Sequence, residues 1–323
     1  MTTRSLSLLK PTGHLTLGNY LGALQPMAAA QEHADCFYGV ADLHALTVPH
    51  DSRALRALTM ETATLLLASG LDDSTLFVQS RVPAHSELAY LLECTATTGE
   101  LNRMIQFKEK GRGRDGTRAS LFTYPALMAA DILLYRPDQV PVGDDQRQHI
   151  ELTRDLAVRF NSTYGPVFTV PEIVTPPRAA RVMDLARPGT KMGKSHEDGS
   201  GIVFLLDGPD AVRRKVARAV TDSDAGPDAC RRDPDTKPGV TNLLDILEAC
   251  AGPGAIAGVP TYGALKAAVT DAVVATLAPL QQVYAELADD PGHVAAVFER
   301  GAARCREVTA PVLAAAQTAI GLG

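Results

Sequence analysis

The chain has no tryptophan among its 323 residues and only 5% aromatics. Its five cysteines, Cys36, Cys94, Cys230, Cys250 and Cys305, show neither C-x-x-C pairing nor metal-ligand spacing, and they read as reduced structural thiols. No run of about 18 apolar residues suggests a membrane span. Residues 1 to 10 lack the continuous apolar stretch of a signal peptide, so a soluble, cytoplasmic protein without membrane partners is expected. Internal repeats, low-complexity tracts and coiled-coil heptads are also missing. With 46% hydrophobic and 21% charged residues, the chain can bury a large core and is expected to divide into two domains.

A positive balance is missing too: the net charge is −6, which as a total argues against binding by phosphate neutralisation. Clustering matters more than the total. Arg213, Arg214, Lys215 and Arg218 fall on one predicted helix, with Arg231 and Arg232 close behind, so a basic patch on an acidic surface is one reading and an ordinary solvated helix face the other.

Against these absences stand two short segments. P-T-G-H-L-T-L-G-N-Y (11 to 20) follows the apolar run Leu6, Leu8 and Leu9, which reads as a strand, and leads into a helix from Asn19. A glycine-bearing turn lets backbone approach a ligand closely, and a helix start offers free N–H groups, so phosphate is a natural guest; a turn that only reverses the chain is the bland account. Neither G-x-G-x-x-G nor a P-loop is present. K-M-G-K-S (191 to 195) sets Lys191 and Lys194 beside Gly193 and Ser195, after Pro188 and Gly189. Two ammonium groups and a hydroxyl on a loop suit a triphosphate or a leaving pyrophosphate, although a lysine pair alone is usually solvated surface.

Strand signals at 5 to 9, 36 to 41, 75 to 79 and 138 to 142 alternate with helical stretches near 19 to 32, 52 to 69, 84 to 97, 121 to 135 and 144 to 161. This alternation predicts an α/β fold: a Rossmann-like parallel sheet with helices on both faces and ligands at the carboxyl ends of the strands. From about residue 208 the sequence is Ala-rich and helical. A catalytic domain over 1–185 and a helical C-terminal domain over 186–323, its terminal helices packing back on the first, are the expected division.

The first segment resembles the signature of class I aminoacyl-tRNA synthetases in its T-x-G-N form, and K-M-G-K-S resembles their KMSKS loop. The text between them is similar to bacterial tryptophanyl-tRNA synthetases: A-D-L-H-A-L-T (41 to 47), G-E-L-N-R-M-I-Q-F-K-E-K (99 to 110), F-T-Y-P-A-L-M-A-A-D-I-L-L-Y (122 to 135) and V-P-V-G-D-D-Q-R-Q-H-I-E-L-T-R-D (140 to 155). A-V-T-D-S-D (219 to 224) and N-L-L-D-I (242 to 246) extend it over nearly the whole chain.

The resemblance implies ATP-dependent activation of L-tryptophan to an adenylate, release of pyrophosphate, and transfer to a cognate tRNA by a homodimer whose helical domain recognises the anticodon. By this likeness Lys10, Pro11, Thr12, Gly18 and Asn19 border ATP, Gly143, Asp144 and Asp145 meet adenosine, and Val182 lies near the base. Lys191, Met192, Gly193, Lys194 and Ser195 close over the phosphates, and Lys110 reaches them from beside a glycine-rich stretch. Lys110, Lys191, Lys194 and Ser195 are the expected catalytic groups, acting by position and charge rather than as covalent nucleophiles. Mg²⁺ accompanies ATP through its phosphates, with no protein metal site expected.

Asp131, one carboxylate in an apolar helix, needs a buried partner, which an indole N–H supplies and phenylalanine does not. From the residues alone, an internal partner answers the same need; the resemblance favours the indole. Met128, Val140 and Val142 are expected around the ring. Tyr124, Gln146 and His44 are candidates for the ammonium or carboxylate, and a structural histidine accounts for His44 equally well.

The chain departs from the family where members usually read S-G-I-Q-P-S-G, an aromatic preceding that serine: here stand Leu6, Ser7, Leu8, Leu9, Lys10, Pro11, Thr12 and Gly13. A neutral amide has become Lys10, and Gly193 replaces the usual serine of the loop. These changes, with the missing tryptophan, suggest an auxiliary isozyme resistant to a tryptophan-like inhibitor; drift in a tolerant loop is the alternative. A tyrosyl-tRNA synthetase and a catalytically silent nucleotide- or RNA-binding paralogue are the rival functions.

Overall fold

The computed structural model describes residues 3–111, 113, 115–137, 139–141, 146–174, 181–193, 199–226, 228–257 and 259–322, with backbone alone at 139–141 and 173–174. Its centre is a parallel sheet of β1 (Arg4–Leu9), β2 (Asp35–Val40) and β3 (Thr75–Val78). The register sets Leu6 beside Phe37 and Leu9 beside Val40, then Phe37 beside Thr75 and Val40 beside Val78. β2 is the middle strand, and Phe37, Tyr38 and Val40 are buried, as expected of a strand covered on both faces.

A second parallel pair, β4 (Gln139–Pro141) and β5 (Glu172–Val174), lies with β4 beside β1, so the strands run in spatial order 3-2-1-4-5. The order reverses between β1 and β4. Parallel α/β sheets bind ligands at the carboxyl ends of the strands flanking such a reversal.

The four predicted strands each match within a residue or so, whereas β5, only three residues long, left too little periodicity to read. The first helical stretch is not uniform: α1 (Leu17–Asn19) passes through a π-helical turn at Tyr20–Leu24 into α2 (Gln25–Ala30). Beyond β2 come the short α3 (Asp42–Ala45) and α4 (Ser52–Ala68), the latter capped by the Asp51 carboxylate, which accepts from the amides of Arg53 and Ala54 at 3.0 and 2.8 Å. The predicted helix over 84 to 97 ends early, at Glu93, as α5 (Ala84–Glu93). A fresh capping box at Thr97 and Glu100 then starts α6 (Thr98–Arg103), which α7 (Ile105–Lys110) follows. α8 (Ala119–Leu133) packs on α5 and on α9 (Arg147–Tyr164).

The rest is helical, as expected: α10 (Pro209–Ala217), α11 (Pro238–Ala251), α12 (Tyr262–Ala288) and α13 (Pro291–Ala319). By length and composition α12 could cross a membrane, although no such run stood out in the sequence; it lies instead against α4, α10 and α11. α13 returns to the sheet and packs on β3 and α5.

Candidate active site

A cavity of about 620 Å³ opens at the reversal. Leu6 to Lys10 of the β1 end form one wall, His44, Thr47 and Val48 a second, and Tyr124, Met128, Asp131 and Ile132 of α8 a third, with Gln146, His149 and Ile150 around the start of α9. Asn19, Ala41, Gln106, Lys110 and Leu121 complete the lining. Seven residues named from sequence, Lys10, His44, Lys110, Tyr124, Met128, Asp131 and Gln146, thus share one cavity with Asn19 of the glycine turn.

That turn is built by Thr16, which caps α1: its hydroxyl accepts from the Asn19 amide at 3.3 Å, while Asn19 Oδ1 accepts from the Thr16 amide at 3.0 Å. The segment is pinned to the later chain, Leu17 N–H donating to the Val203 carbonyl at 2.8 Å and Leu205 N–H to Leu15 at 2.9 Å.

The second segment folds back on the first. Met192 N–H donates to Val182 O at 3.0 Å and Asp184 N–H to Thr190 O at 2.8 Å, closing a hairpin whose Met183 and Lys191 face each other across a bridge. A Cβ on Gly18 would stand 3.5 Å from Val182 Cβ and 3.6 Å from the Met192 carbonyl, so the two signature segments touch at the glycine. Val182 and Met192 are buried there, Lys191 is exposed, and Gly193 continues the hairpin. Pro11 is buried and Thr12 exposed, and neither lines the cavity. Val142, Gly143, Asp144, Asp145, Lys194 and Ser195 lie outside the described residues, as does the side chain of Val140.

At the cavity floor Asp131 is only 3% exposed. One oxygen accepts from His85 Nδ1 at 2.6 Å and Gln79 Nε2 at 2.8 Å, the other from His44 Nε2 at 2.8 Å and Gln79 Nε2 at 2.9 Å. Burial pushes this carboxyl up, but the hydrogen bonds from His44 and His85 outweigh it and hold it at about 2. The buried partner that the sequence demanded is therefore supplied in part from within the chain, by residues of α3, α5 and the 3-10 turn Gln79–Arg81 after β3.

Lys10 donates to the Thr47 hydroxyl at 2.9 Å, and that hydroxyl donates to the His44 carbonyl at 2.8 Å. Burial first, and then the positive charge of Lys110, pull the Lys10 ammonium below the ordinary lysine range. Tyr124 is hydrogen-bonded to His149 Nε2, and burial raises its phenol. Among the described residues no three His, Cys, Asp or Glu side chains gather as a cation site.

Sequence reading missed Thr47, Gln106 and His149 on the wall, and Gln79 and His85 behind Asp131. The last two left a signal: polar residues just after the β3 strand, where a parallel sheet places its ligands. The basic cluster is largely neutralised: Arg213 pairs with Asp210 at 2.6 Å, Lys215 with Asp207 at 2.6 Å, Arg231 with Asp224 at 3.0 Å, and Arg232 with Asp245 at 2.9 Å and with Glu248.

A parallel sheet with a glycine turn at its reversal, closed by a lysine-bearing hairpin, is the catalytic architecture of a class I aminoacyl-tRNA synthetase. Residues 3–278 match the family described as tRNA synthetases class I (W and Y), and the chain belongs to that family. It is 55% identical over 329 residues to tryptophan–tRNA ligase 1 of Streptomyces avermitilis, covering 99% of this chain and 98% of that one. The solved tryptophanyl-tRNA synthetase of Mycoplasma pneumoniae superposes with a TM-score of 0.90 at 36% identity, covering 99% and 98% of the two chains. That of Campylobacter jejuni, complexed with ADP and tryptophan, gives 0.84 at 30% identity, covering 99% and 100%.

Proposed function

We propose that the chain is a tryptophan–tRNA ligase. The observation that carries this reading is the cavity itself: one buried carboxylate, Asp131, on an apolar wall with Met128 and Ile132, in a cavity that the cations Lys10 and Lys110 also line. The indole N–H is accepted by Asp131, while Tyr124 and Gln146 hold the ammonium end. Val140 and Val142 extend the apolar slot.

The amino-acid carboxylate attacks the α-phosphorus of ATP, and the bond to pyrophosphate breaks. The ribose hydroxyl of the tRNA end then attacks the acyl carbon, AMP leaves, and neither step needs a covalent protein group. ATP lies along the glycine turn, bordered by Lys10, Pro11, Thr12, Gly18 and Asn19, with Val182 near the base and Gly143, Asp144 and Asp145 at the adenosine. Lys110, Lys191 and Lys194, with Ser195, Met192 and Gly193, stabilise the charge that builds on the leaving pyrophosphate. Mg²⁺ enters on the ATP phosphates, the habit of an ion that keeps most of its own water. The active form is a cytoplasmic homodimer, with the helical part over 186–323 turned to the tRNA anticodon.

The test is ATP–pyrophosphate exchange with each aromatic amino acid. Exchange dependent on tryptophan is expected; dependence on tyrosine, or none with any of the three, overturns the reading. A second reading, an auxiliary isozyme that tolerates a tryptophan-like inhibitor, is favoured by the place of Lys10, on the cavity wall and tied through Thr47 to His44. Lys10→Gln then becomes more sensitive to indole-bearing competitors than the wild type, and equal sensitivity removes this reading.

A further inference from the structure

Asp131 is served by three side chains, and they are not equivalent. His44 lines the cavity, whereas His85 and Gln79 are fully buried behind the carboxylate. An anionic carboxylate only accepts, so its partners fix the protons: His44 donates from Nε2, and His85 from Nδ1. His85 Nε2 is thereby left as an acceptor, and the Tyr135 hydroxyl, 3.0 Å away, fills it. Phe77 stacks on the His85 ring at 5.8 Å between centroids, so the imidazole has one orientation and one tautomer.

Gln79 tells the same story from the other side. Its Nε2 spans both carboxylate oxygens at 2.8 and 2.9 Å, yet its buried Oε1 has no hydrogen-bond partner among the described residues. A buried amide oxygen left unpaired costs about 1–3 kcal/mol. Turning the amide over would set that oxygen against the carboxylate, so the side chain is held for the donor it offers Asp131. Each oxygen of Asp131 thus already accepts twice, and of the three donors only His44 stands on the cavity side, where a ligand would meet the carboxylate.

We infer that His85 and Gln79 are specificity-determining positioning residues: from behind they hold the Asp131 carboxylate in one rotamer, so that on its cavity side, where His44 stands, it selects an amino acid by its ring N–H. The inference rests on the reading that Asp131 accepts the indole N–H. His85 and Gln79 touch no substrate and act only through Asp131.

The experiment compares kcat/KM for L-tryptophan with that for the analogue whose ring N–H is replaced by sulfur, 3-(3-benzothienyl)-L-alanine, by ATP–pyrophosphate exchange. The wild type should prefer tryptophan strongly, because a site built around an N–H rejects the analogue lacking it. In His85→Leu the preference should fall by about tenfold or more. His85→Asn should recover most of it: it restores a donor to Asp131 but leaves Tyr135 as unpaired as in the leucine variant, so the difference between the two reports the donor alone. If His85→Leu does not fold, Gln79→Met carries the same measurement, with the same loss expected. A wild type that prefers tryptophan while His85→Leu or Gln79→Met keeps the full preference, or an asparagine variant no better than leucine, overturns the inference alone. A wild type that does not separate the two amino acids overturns the reading of Asp131 beneath it.

Discussion

Asn242 holds Met183 by both sides of its backbone: its Oδ1 accepts from the Met183 amide at 2.8 Å, and its Nδ2 donates to the Met183 carbonyl at 2.9 Å. A side chain of α11 thus stands where a neighbouring strand would. Met183 bridges to Lys191, so this buried asparagine ties the helical part of the chain to the lysine-bearing hairpin. Asn242→Ala leaves two half-buried backbone groups of Met183 without these partners and frees the hairpin. KM for ATP should rise and kcat fall, together by about tenfold or more in kcat/KM. Equilibrium binding of tryptophan without ATP should be unchanged, since the Asp131 pocket lies on other elements. Steady-state exchange kinetics beside calorimetry would check it, and an unaltered KM for ATP would count against the coupling.

Lys110 ends α7 and reaches the cavity that also holds Lys10. Burial lowers the Lys10 ammonium first, and the charge of Lys110 in the same cavity lowers it further. Such an arrangement is useful when a polyanion lies between them. Lys110→Ala should lower kcat by about a hundredfold, the usual cost of losing a charge that stabilises a transition state. KM for tryptophan should stay as it is, and Lys10 should titrate closer to an ordinary lysine. Pre-steady-state pyrophosphate release separates the two effects.

The sequence made the sheet legible because each strand is a short apolar run between turn residues, and β1 to β4 fall within a residue or so of their expected positions. Asp131 was legible for the opposite reason, a charge where the pattern called for none. Its partners were not: they stand 87, 52 and 46 positions away; His44 was named as a substrate contact or a structural histidine, and a place after β3 does not say that Gln79 and His85 pair with Asp131. The cations of 213 to 232 show the converse. Their run is plain in the sequence, but the carboxylates that pair with them come from neighbouring turns and from α11, which only folding brings alongside.

Glu100 carries a pH dependence whose sign is fixed by its partners. Hydrogen bonds from Arg159, at 2.5 and 3.0 Å, and then from Thr97, outweigh burial and hold its carboxyl at about 2, against 4.5 for an ordinary glutamate. A lowered carboxylate pKa adds stability that is fully present above the unfolded value and lost as pH falls through the folded one. Glu100→Gln should therefore cost about 1–3 kcal/mol at neutral pH, where the bidentate pair and the capping box of α6 are both intact. The gap between wild type and variant should narrow below pH 4.5 and close near 2. Urea unfolding followed over that range checks both magnitude and direction.

Gly301 sits where α13 crosses β3, and a Cβ there would lie 1.8 Å from the Leu76 carbonyl oxygen and 2.7 Å from its carbon. Both are backbone atoms that no side-chain rotation can move, so Gly301→Ala must push the helix off the strand. Overpacking of this kind costs about 1–3 kcal/mol, and contact with an unyielding backbone places this variant at the upper end. The displaced strand leads directly into Gln79, whose amide holds both oxygens of Asp131. The damage should accordingly not stop at stability: KM for tryptophan should rise in Gly301→Ala, while Gly113→Ala, in an open loop at positive φ, should leave it unchanged. Thermal unfolding and exchange kinetics on the two variants would separate a helix that merely covers the sheet from one that sets the position of the binding carboxylate.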